Sequence, residues 1–469
     1  MAEIPTIGAK QLLKESLKTK SGIAAFAMLA TLLIVVLILP FYAPGDVVRD
    51  WGRVDAWTDN PRNAAPEWVD VFTSERLSRT IILEQEDFRK ASSDPDLPIK
   101  VILNRGVVVF EYDTFPSELF INIIAKWADR IPNIRIFWER PDDLDLTLLV
   151  YTPQKQAPDA NVIAISTDTT IKETVRQWAL SFGADDTQFV RPEVTLFAEQ
   201  GPGMLNPRNA TPLQGRYVIR FETIAFEQTD DVDVRFGLLG TIHGFAGTDD
   251  RRRDLLVGLL WGAPVALAFG VVAALATVFS QVLLGVFSAY VGGRTDEFIQ
   301  RGADFFLIIP ILPILILFGA FYSPGILSIL IIVIVFSLLG SATKVVRSIA
   351  LQVKEEQYVE SAESYGASRT RIVFKHIFPR TLPYSFALIA LAVPSFIFLE
   401  AALSFLGLGD PLLPTWGSIM GEAQRAGALL NGLWWWISFP AVGILFTTVA
   451  FAMLGYSFDK ILNPRLREE

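Results

Sequence analysis

The sequence predicts an α-helical integral membrane protein with six transmembrane helices and, inserted after the first of them, a mixed α/β domain outside the cytoplasm. Three observations carry this expectation. Hydrophobic residues make up 51% of the 469 and charged residues only 19%, below the roughly 25% usual in soluble domains. The apolar excess falls in six runs, each long enough to cross about 30 Å of hydrocarbon at about 1.5 Å per residue. Between the first two runs the composition is that of a soluble protein. Residues 45–250 hold 34 acidic and 21 basic side chains, a net of −13, against 16 and 20, a net of +4, in the remainder. The expected domains are therefore 1–44 (cytoplasmic N-terminus and first span), 45–250 (insert) and 251–469 (five-helix core).

The first span runs from about Ile23 to Tyr42 and follows Lys10, Lys14, Lys18 and Lys20. Its apolar core is long and no small-residue cleavage site follows, so it reads as a retained span and not a signal peptide. The second, Leu255 to Tyr290, is too long for one straight crossing, and Asp254–Gly258 is expected to form an interfacial helix leading in. Phe305–Phe321 and Ile326–Ala342 follow, separated by the turn signal Ser323-Pro324-Gly325. The fifth span covers Pro383–Phe405 and the sixth Leu433–Tyr456. Basic residues cluster before the first span, in Lys344–Arg380, and at Lys460, Arg465 and Arg467, which puts both termini in the cytoplasm and the insert outside. Trp434, Trp435 and Trp436 suit an aromatic belt at the outer interface, or a core.

In the insert, Arg79–Glu84, Lys100–Tyr112, Asn133–Trp138, Leu146–Thr152, Val162–Ser166 and Tyr217–Phe226 carry strand-type residues. Asn104-Arg105-Gly106 reads as a hairpin turn. Pro116–Arg130 places Leu119, Phe120, Ile123, Ile124 and Trp127 on one helical face, and Thr170–Phe182 does the same with Ile171, Val175, Trp178 and Phe182. Gly201 to Pro212 is a loop. The acidic group Asp142, Asp143, Asp145 lacks the glycine and terminal glutamate of a Ca²⁺ loop and reads as a solvated turn. Asn209-Ala210-Thr211 matches a glycosylation acceptor, a short and common pattern.

With no cysteine and only His243 and His376, the chain offers no thiolate or histidine-based catalysis and no metal cluster; no catalytic residue, metal or cofactor is expected. A carboxylate-only glycosidase in the insert stays open. No basic stripe with interleaved aromatics supports nucleic-acid binding. Neither the internal repeats nor the broken midplane helices of an ion-coupled carrier are evident, and the cytoplasmic parts are too short for a sensor's signalling domain.

The most informative stretch is the polar loop 354–380. Lys354–Tyr365 reads as a polar helix, Gly366 as its C-cap and Ser368 as the cap of a second helix, with Pro379 and Pro383 punctuating the entry to the fifth span. Such a helix–turn–helix suits a cytoplasmic partner. It resembles the EAA loop of ABC importer permeases, E-A-A-x3-G-x9-I-x-L-P. Glu360, Ala362, Gly366 and Pro379 match at that spacing, while Ser361, His376 and Phe378 depart from it. Further stretches are similar to the dipeptide/oligopeptide/nickel permease family, C-type subunit. These are Gly247-Thr248-Asp249…Arg253-Asp254, with Arg252 where the family has glycine; Arg301, Asp304 and Pro310; Glu400 through Gly409 followed by Thr415-Trp416-Gly417; and Asn463-Pro464-Arg465. The insert is far longer than the family's usual loop.

The resemblance implies an ABC importer permease fold, moving peptides or else nickel or glycans. It implies a second homologous permease, two ATP-binding cassette subunits docked at Glu360, Ala362, Tyr365, Gly366, Ala367, Ser368, Arg369 and Pro379, and an extracytoplasmic substrate-binding protein. The chain itself has no G-x-x-x-x-G-K-[ST] phosphate loop. Glu400 is the one carboxylate of the fifth span. With Ser404, Phe405 and Gly407 it marks a candidate translocation path or gate. The alternatives are a structural pairing for Glu400 and plain helix termination at the glycines.

Overall fold

The computed structural model describes residues 9–93, 99–157, 161–322, 325–410 and 413–462. Ser323-Pro324 and Asn463-Pro464-Arg465 lie outside the described residues. Two compact units separate: Val54–Leu256, and Met1–Arg53 together with Val257–Glu469.

The Val54–Leu256 unit is built on two antiparallel sheets. One has strand order β1 (Ile81–Leu83), β9 (Asp231–Leu239), β4 (Glu118–Lys126), β7 (Val162–Ala164). The other runs β2 (Arg89–Ser92), β3 (Lys100–Phe110), β8 (Gly215–Ala225), β5 (Asn133–Glu139), β6 (Asp145–Tyr151). Side chains alternate in and out along each strand. The inner faces meet in one core of Phe110, Leu119, Ile121, Trp138, Tyr217 and Phe236. The Trp138 and Phe236 rings lie 5.8 Å apart across it. Arg140 closes one end with its side chain fully buried. Its guanidinium donates to Asp142 and to the carbonyls of Thr195, Leu196 and Ala198, and lies 5.2 Å from the Trp178 ring. Asp142 and its neighbours thus form the β5–β6 turn, as their composition suggests.

Two sequence expectations fail here. The 116–130 stretch is strand β4, not a helix, burying Leu119, Ile121, Ile123 and Ala125 on its core side. Its apolar residues occupy both faces, so periodicity cannot choose, and pairing to β9 and β7 decides. Asn104-Arg105-Gly106 is no hairpin turn: β3 pairs with β8 without interruption from Lys100↔Ala225 to Phe110↔Gly215. Gly106 is there because the Phe88 ring stands 2.6 Å from where a Cβ would project. The expected helix at 170–182 is present as Thr169–Ser181, capped by the Asp168 carboxylate.

In the other unit the longer helices are α1 (Ala9–Ser16), α2 (Lys20–Tyr42), a helix Leu255–Val291 whose first two residues belong to the Val54–Leu256 unit, a pair Gly293–Ile308 and Ile311–Tyr322 bent by 69°, and a pair Ile326–Phe336 and Ser341–Lys354 bent by 44°. Then come Gln357–Ser364, Arg369–Phe405, Trp416–Arg425 and Trp435–Leu462. Among the described residues, four helices are long and apolar enough to cross a membrane, or up to six if each bent pair is one span. Asp254–Gly258 forms no separate helix: Leu255–Val291 runs on as a single helix of 37 residues. Phe305–Phe321 is not one rod either. Pro310 has no N–H and forces Ile309 into the extended region (ψ 120°), which breaks the helix.

The turn before Leu255 rests on Asp249. This buried carboxylate accepts the backbone N–H groups of Arg251 and Arg253 and pairs with the Arg253 guanidinium at 2.6 Å. Burial nonetheless holds it above the usual carboxylate range. Arg252 adopts φ +67°, the left-handed conformation glycine takes without cost. The resemblance puts glycine there; in this chain the arginine bears the strain of the left-handed turn. Its guanidinium donates to the Thr58 and Asn60 carbonyls and to Glu118. Arg252→Ala should lose those bonds and keep the strain, whereas Arg252→Gly loses them and relieves it. Glycine is expected to be the more stable variant by about 1–2 kcal/mol, read from the unfolding midpoint of the purified chain. An alanine variant at least as stable would show that the left-handed turn is not required.

Candidate functional site

Helices are numbered onward as α3 (Thr169–Ser181), α4 (Leu255–Val291), α5 (Gly293–Ile308), α6 (Ile311–Tyr322), α7 (Ile326–Phe336), α8 (Ser341–Lys354), α9 (Gln357–Ser364), α10 (Arg369–Phe405), α11 (Trp416–Arg425) and α12 (Trp435–Leu462). The expected polar helix Lys354–Tyr365 is interrupted. α8 stops at Lys354, whose ammonium donates to the Tyr290 carbonyl at 3.2 Å. Glu356 is extended (ψ 138°) and opens α9.

α9 ends where Gly366 turns left-handed at φ +79°. The Gly366 N–H donates to the Glu363 carbonyl (2.9 Å) and the Ala367 N–H to that of Ala362 (3.0 Å), the two bonds of a Schellman cap. Ser368 Oγ then accepts the Arg371 N–H at 3.4 Å and caps the next helix. That helix passes through one π-turn, Val373–Ile377, and continues into Phe378–Phe405. Pro379 and Pro383 do not stop it: Pro379 sits in the first turn of the downstream stretch, and Pro383 lies inside the helix.

One side of this element is fixed. Val359, Ile372, Val373 and Ile377 are buried with Val282 and Val286 of α4 and Val346 and Val353 of α8. The Tyr358 hydroxyl donates to the His376 carbonyl (3.3 Å), and Arg380 lies 5.3 Å over the Tyr358 ring. The Tyr290 hydroxyl reaches Glu363 at 3.4 Å. The other side is open. Glu360, Gly366, Ser368, Arg369 and Pro379 are exposed, Ala362 and Ala367 half-buried, and Tyr365 is 91% exposed. An acid, an aromatic ring and a guanidinium on a rigid support can dock a protein.

The second set of expected residues lies at the far end of α10. Glu400 is 3% exposed. It accepts the Ser404 hydroxyl at 2.6 Å, and Thr415 is its other side-chain partner. Thr415 also caps α11 by accepting the Ser418 N–H (3.2 Å). Gly407 (φ +80°) closes α10 in a second Schellman cap, Gly407 N–H to Ser404 and Leu408 N–H to Leu403. α11 then lies directly on α10: a Cβ on Gly417 would meet the Ala401 carbonyl at 2.3 Å, and one on Gly421 the Phe405 carbonyl at 2.4 Å. Trp416 is buried, donates to the Leu259 carbonyl (2.8 Å), and sits on the bare faces of Gly262 and Gly443. Glu400, Ser404, Phe405 and Gly407 therefore come together at one joint, remote along α10 from Glu360–Arg369.

Sequence reasoning passed over Gln281. Its amide donates to the Ser337 carbonyl (2.6 Å), and its oxygen accepts the Ala342 N–H (3.1 Å), so one side chain serves backbone groups on both sides of the α7–α8 bend. It lines a cavity of about 410 Å³ with Thr277, Ser341 and Ser395. A glutamine inside an apolar run was the available signal. The Asp296–Arg347 pair joining α5 to α8 was also missed, and its residues are too far apart in sequence to be matched by pattern.

The family described as binding-protein-dependent transport system inner membrane component matches residues 281–468. The oligopeptide transport system permease protein OppC of Bacillus subtilis (strain 168) is 36% identical over 227 residues, 48% of this chain and 73% of that protein. The dipeptide transport system permease protein DppC of the same organism is 35% identical over 226 residues, 48% and 69% of the two chains. The glutathione transport system permease protein GsiD of Pectobacterium atrosepticum is 31% identical over 222 residues, 47% and 72%.

The joint at Glu400 yields a prediction. Glu400→Gln keeps an acceptor for Ser404 and Thr415 and should leave the thermal midpoint of the detergent-purified chain unchanged. Glu400→Leu strands two hydroxyls in a closed site and should cost about 1–3 kcal/mol. Equal midpoints for the two variants would show that the hydrogen bonds do not hold the joint.

Proposed function

The chain belongs to the family of binding-protein-dependent transport system inner membrane components, and from that premise we propose that it is the permease subunit of an ATP-driven importer of di- or oligopeptides. The observation that carries the proposal is the α9–α10 element, whose exposed turn leads without a helix end into a membrane-length rod. A partner that moves the turn moves the rod.

On this reading, each bent pair counts as one span, giving six. Both termini and the α8–α10 loop face the cytoplasm, and residues 45–250 lie outside. The division into 1–44, 45–250 and 251–469 follows from that topology. Two ATP-binding cassette subunits hydrolyse ATP, one of them docking on Glu360, Tyr365, Ser368 and Arg369 around the Gly366 turn. A second, homologous permease completes the path, and an extracytoplasmic binding protein delivers the substrate. The Glu400–Gly407 joint is the outer gate. Glu400 acts there by fastening α10 to the cap of α11, and the small contacts of Gly417 and Gly421 let the helices shift as a pair. The peptide class is supported by the names of the relatives, which are permeases for oligopeptides, dipeptides and glutathione.

Tyr365→Ala combined with Arg369→Glu tests the docking surface. Both side chains are exposed, so the chain should fold and insert normally. In the assembled transporter, co-purification of the ATPase subunits and peptide-stimulated ATP hydrolysis should fall by at least about tenfold, the equivalent of roughly 1.4 kcal/mol of lost docking energy. Unchanged association and hydrolysis would remove the element from the coupling route.

A further inference from the structure

The Val54–Leu256 unit presents apolar side chains that its own core does not use. A short 3₁₀ turn, Glu67–Phe72, points Val71 and Phe72 outward, 81% and 80% exposed. Phe245, 62% exposed, stands at the same place. The Trp68 indole N–H donates to the Phe245 carbonyl at 2.9 Å, and the Trp68 and Phe72 rings meet edge to face at 6.1 Å. The four residues form one knob.

The knob is held firmly. The Glu67 N–H donates to the Gly244 carbonyl (2.8 Å), and the Gly244 N–H returns to the Glu67 carboxylate (3.1 Å). Asp70 accepts the Leu77 N–H at 2.8 Å, and the Thr73 hydroxyl donates to the Asp70 carbonyl at 3.0 Å, which closes the turn. A fixed turn that displays a phenylalanine and a valine to water forgoes the gain of burying them unless something apolar covers it.

Chain geometry indicates what covers it. Leu255 is the first residue of α4, and its N–H donates to the Gly247 carbonyl at 3.0 Å. Phe245 is two residues from Gly247, a reach of at most about 7 Å. The knob is thus tied within about 10 Å of the point where the chain enters α4. Its chemistry suits a lipid boundary. The indole N–H is already satisfied, the rings face outward, and the Arg79 guanidinium, half-exposed and 3.8 Å from Asp70, stands beside the turn where headgroup phosphates would lie.

We propose that Trp68, Val71, Phe72 and Phe245 insert into the headgroup–acyl boundary of the leaflet that α4 enters and pin this unit to the lipid surface. The proposal rests on α4 being a membrane span.

Because the chain has no cysteine, single labels can be placed without background. Phe72→Cys and Val71→Cys carry a nitroxide in the full chain, reconstituted in nanodiscs of phosphatidylethanolamine and phosphatidylglycerol. Collision with dissolved oxygen and with a water-soluble nickel chelate is then measured. Val272→Cys, exposed midway along α4, and Glu199→Cys, at an exposed polar position elsewhere in the same unit, give the lipid and water references. The labels at 71 and 72 are expected to shift from the water-like to the lipid-like side, with oxygen favoured over nickel as at 272. Nickel accessibility equal to that at 199 would overturn the proposal. So would protection from both reagents, which would signify a protein cover. A water-like label at 272 would defeat the spanning assignment of α4 and the proposal with it; failure at 71 and 72 alone would defeat only the proposal.

Discussion

One continuous helix organises the membrane unit. α10 runs 37 residues from Arg369 to Phe405, about 55 Å at 1.5 Å per residue. Each end is set by a glycine in the left-handed region. Gly366 reverses the chain just before it begins, and Gly407 terminates it. Between them three prolines, Pro379, Pro383 and Pro394, are absorbed without a break. The π-turn at Val373–Ile377 accommodates the junction, and Ile372, Val373 and Ile377 keep it packed on α4 and α8. A rod fixed in this way is one continuous support between an exposed turn and a buried joint.

Around the rod, the breaks in other helices follow the rule that backbone groups away from water must find partners within the protein. Pro310 removes a donor and bends α5 against α6. The α7–α8 bend frees backbone groups at Ser337 and Ala342, and Gln281 of α4 serves both. At the far end of α10, Thr415 serves Glu400 and the first turn of α11 together. These polar side chains stand where a helix is interrupted or begins, which is why so few are needed in so apolar a sequence.

Much of this was legible in the sequence. The apolar runs gave the long helices, and the E-x-A-x3-G spacing gave the turn at Gly366, because a positive φ there admits little else. The T-W-G run marked a true contact, since Trp416 needs the bare faces of Gly262 and Gly443. Other features were hidden for physical reasons. Leu119–Ala125 is apolar on both faces, so a helical period could be traced through a strand. Gly106 looked like a turn because the ring that replaces its side chain, Phe88, comes from another strand's approach. Strand β9 is legible too, since Asp231, Asp233 and Arg235 alternate with the buried Val232, Val234 and Phe236 at the period of a half-buried strand, a signal the sequence reading passed over. Glu400, Ser404, Phe405 and Gly407 are each visible in the sequence, yet their meeting at a joint with α11 depends on Gly417 and Gly421 approaching a backbone more than ten residues away.

On the proposed function, motion passes through the unbroken junction between the exposed turn and the membrane rod. Inserting two glycines after His376, inside the π-turn, leaves the docking surface intact and makes the junction flexible. In the reconstituted transporter, peptide uptake and ATP hydrolysis are measured together. The ATPase subunits are expected still to bind and hydrolyse ATP while uptake is lost. Uptake at the unmodified rate per ATP hydrolysed would contradict it.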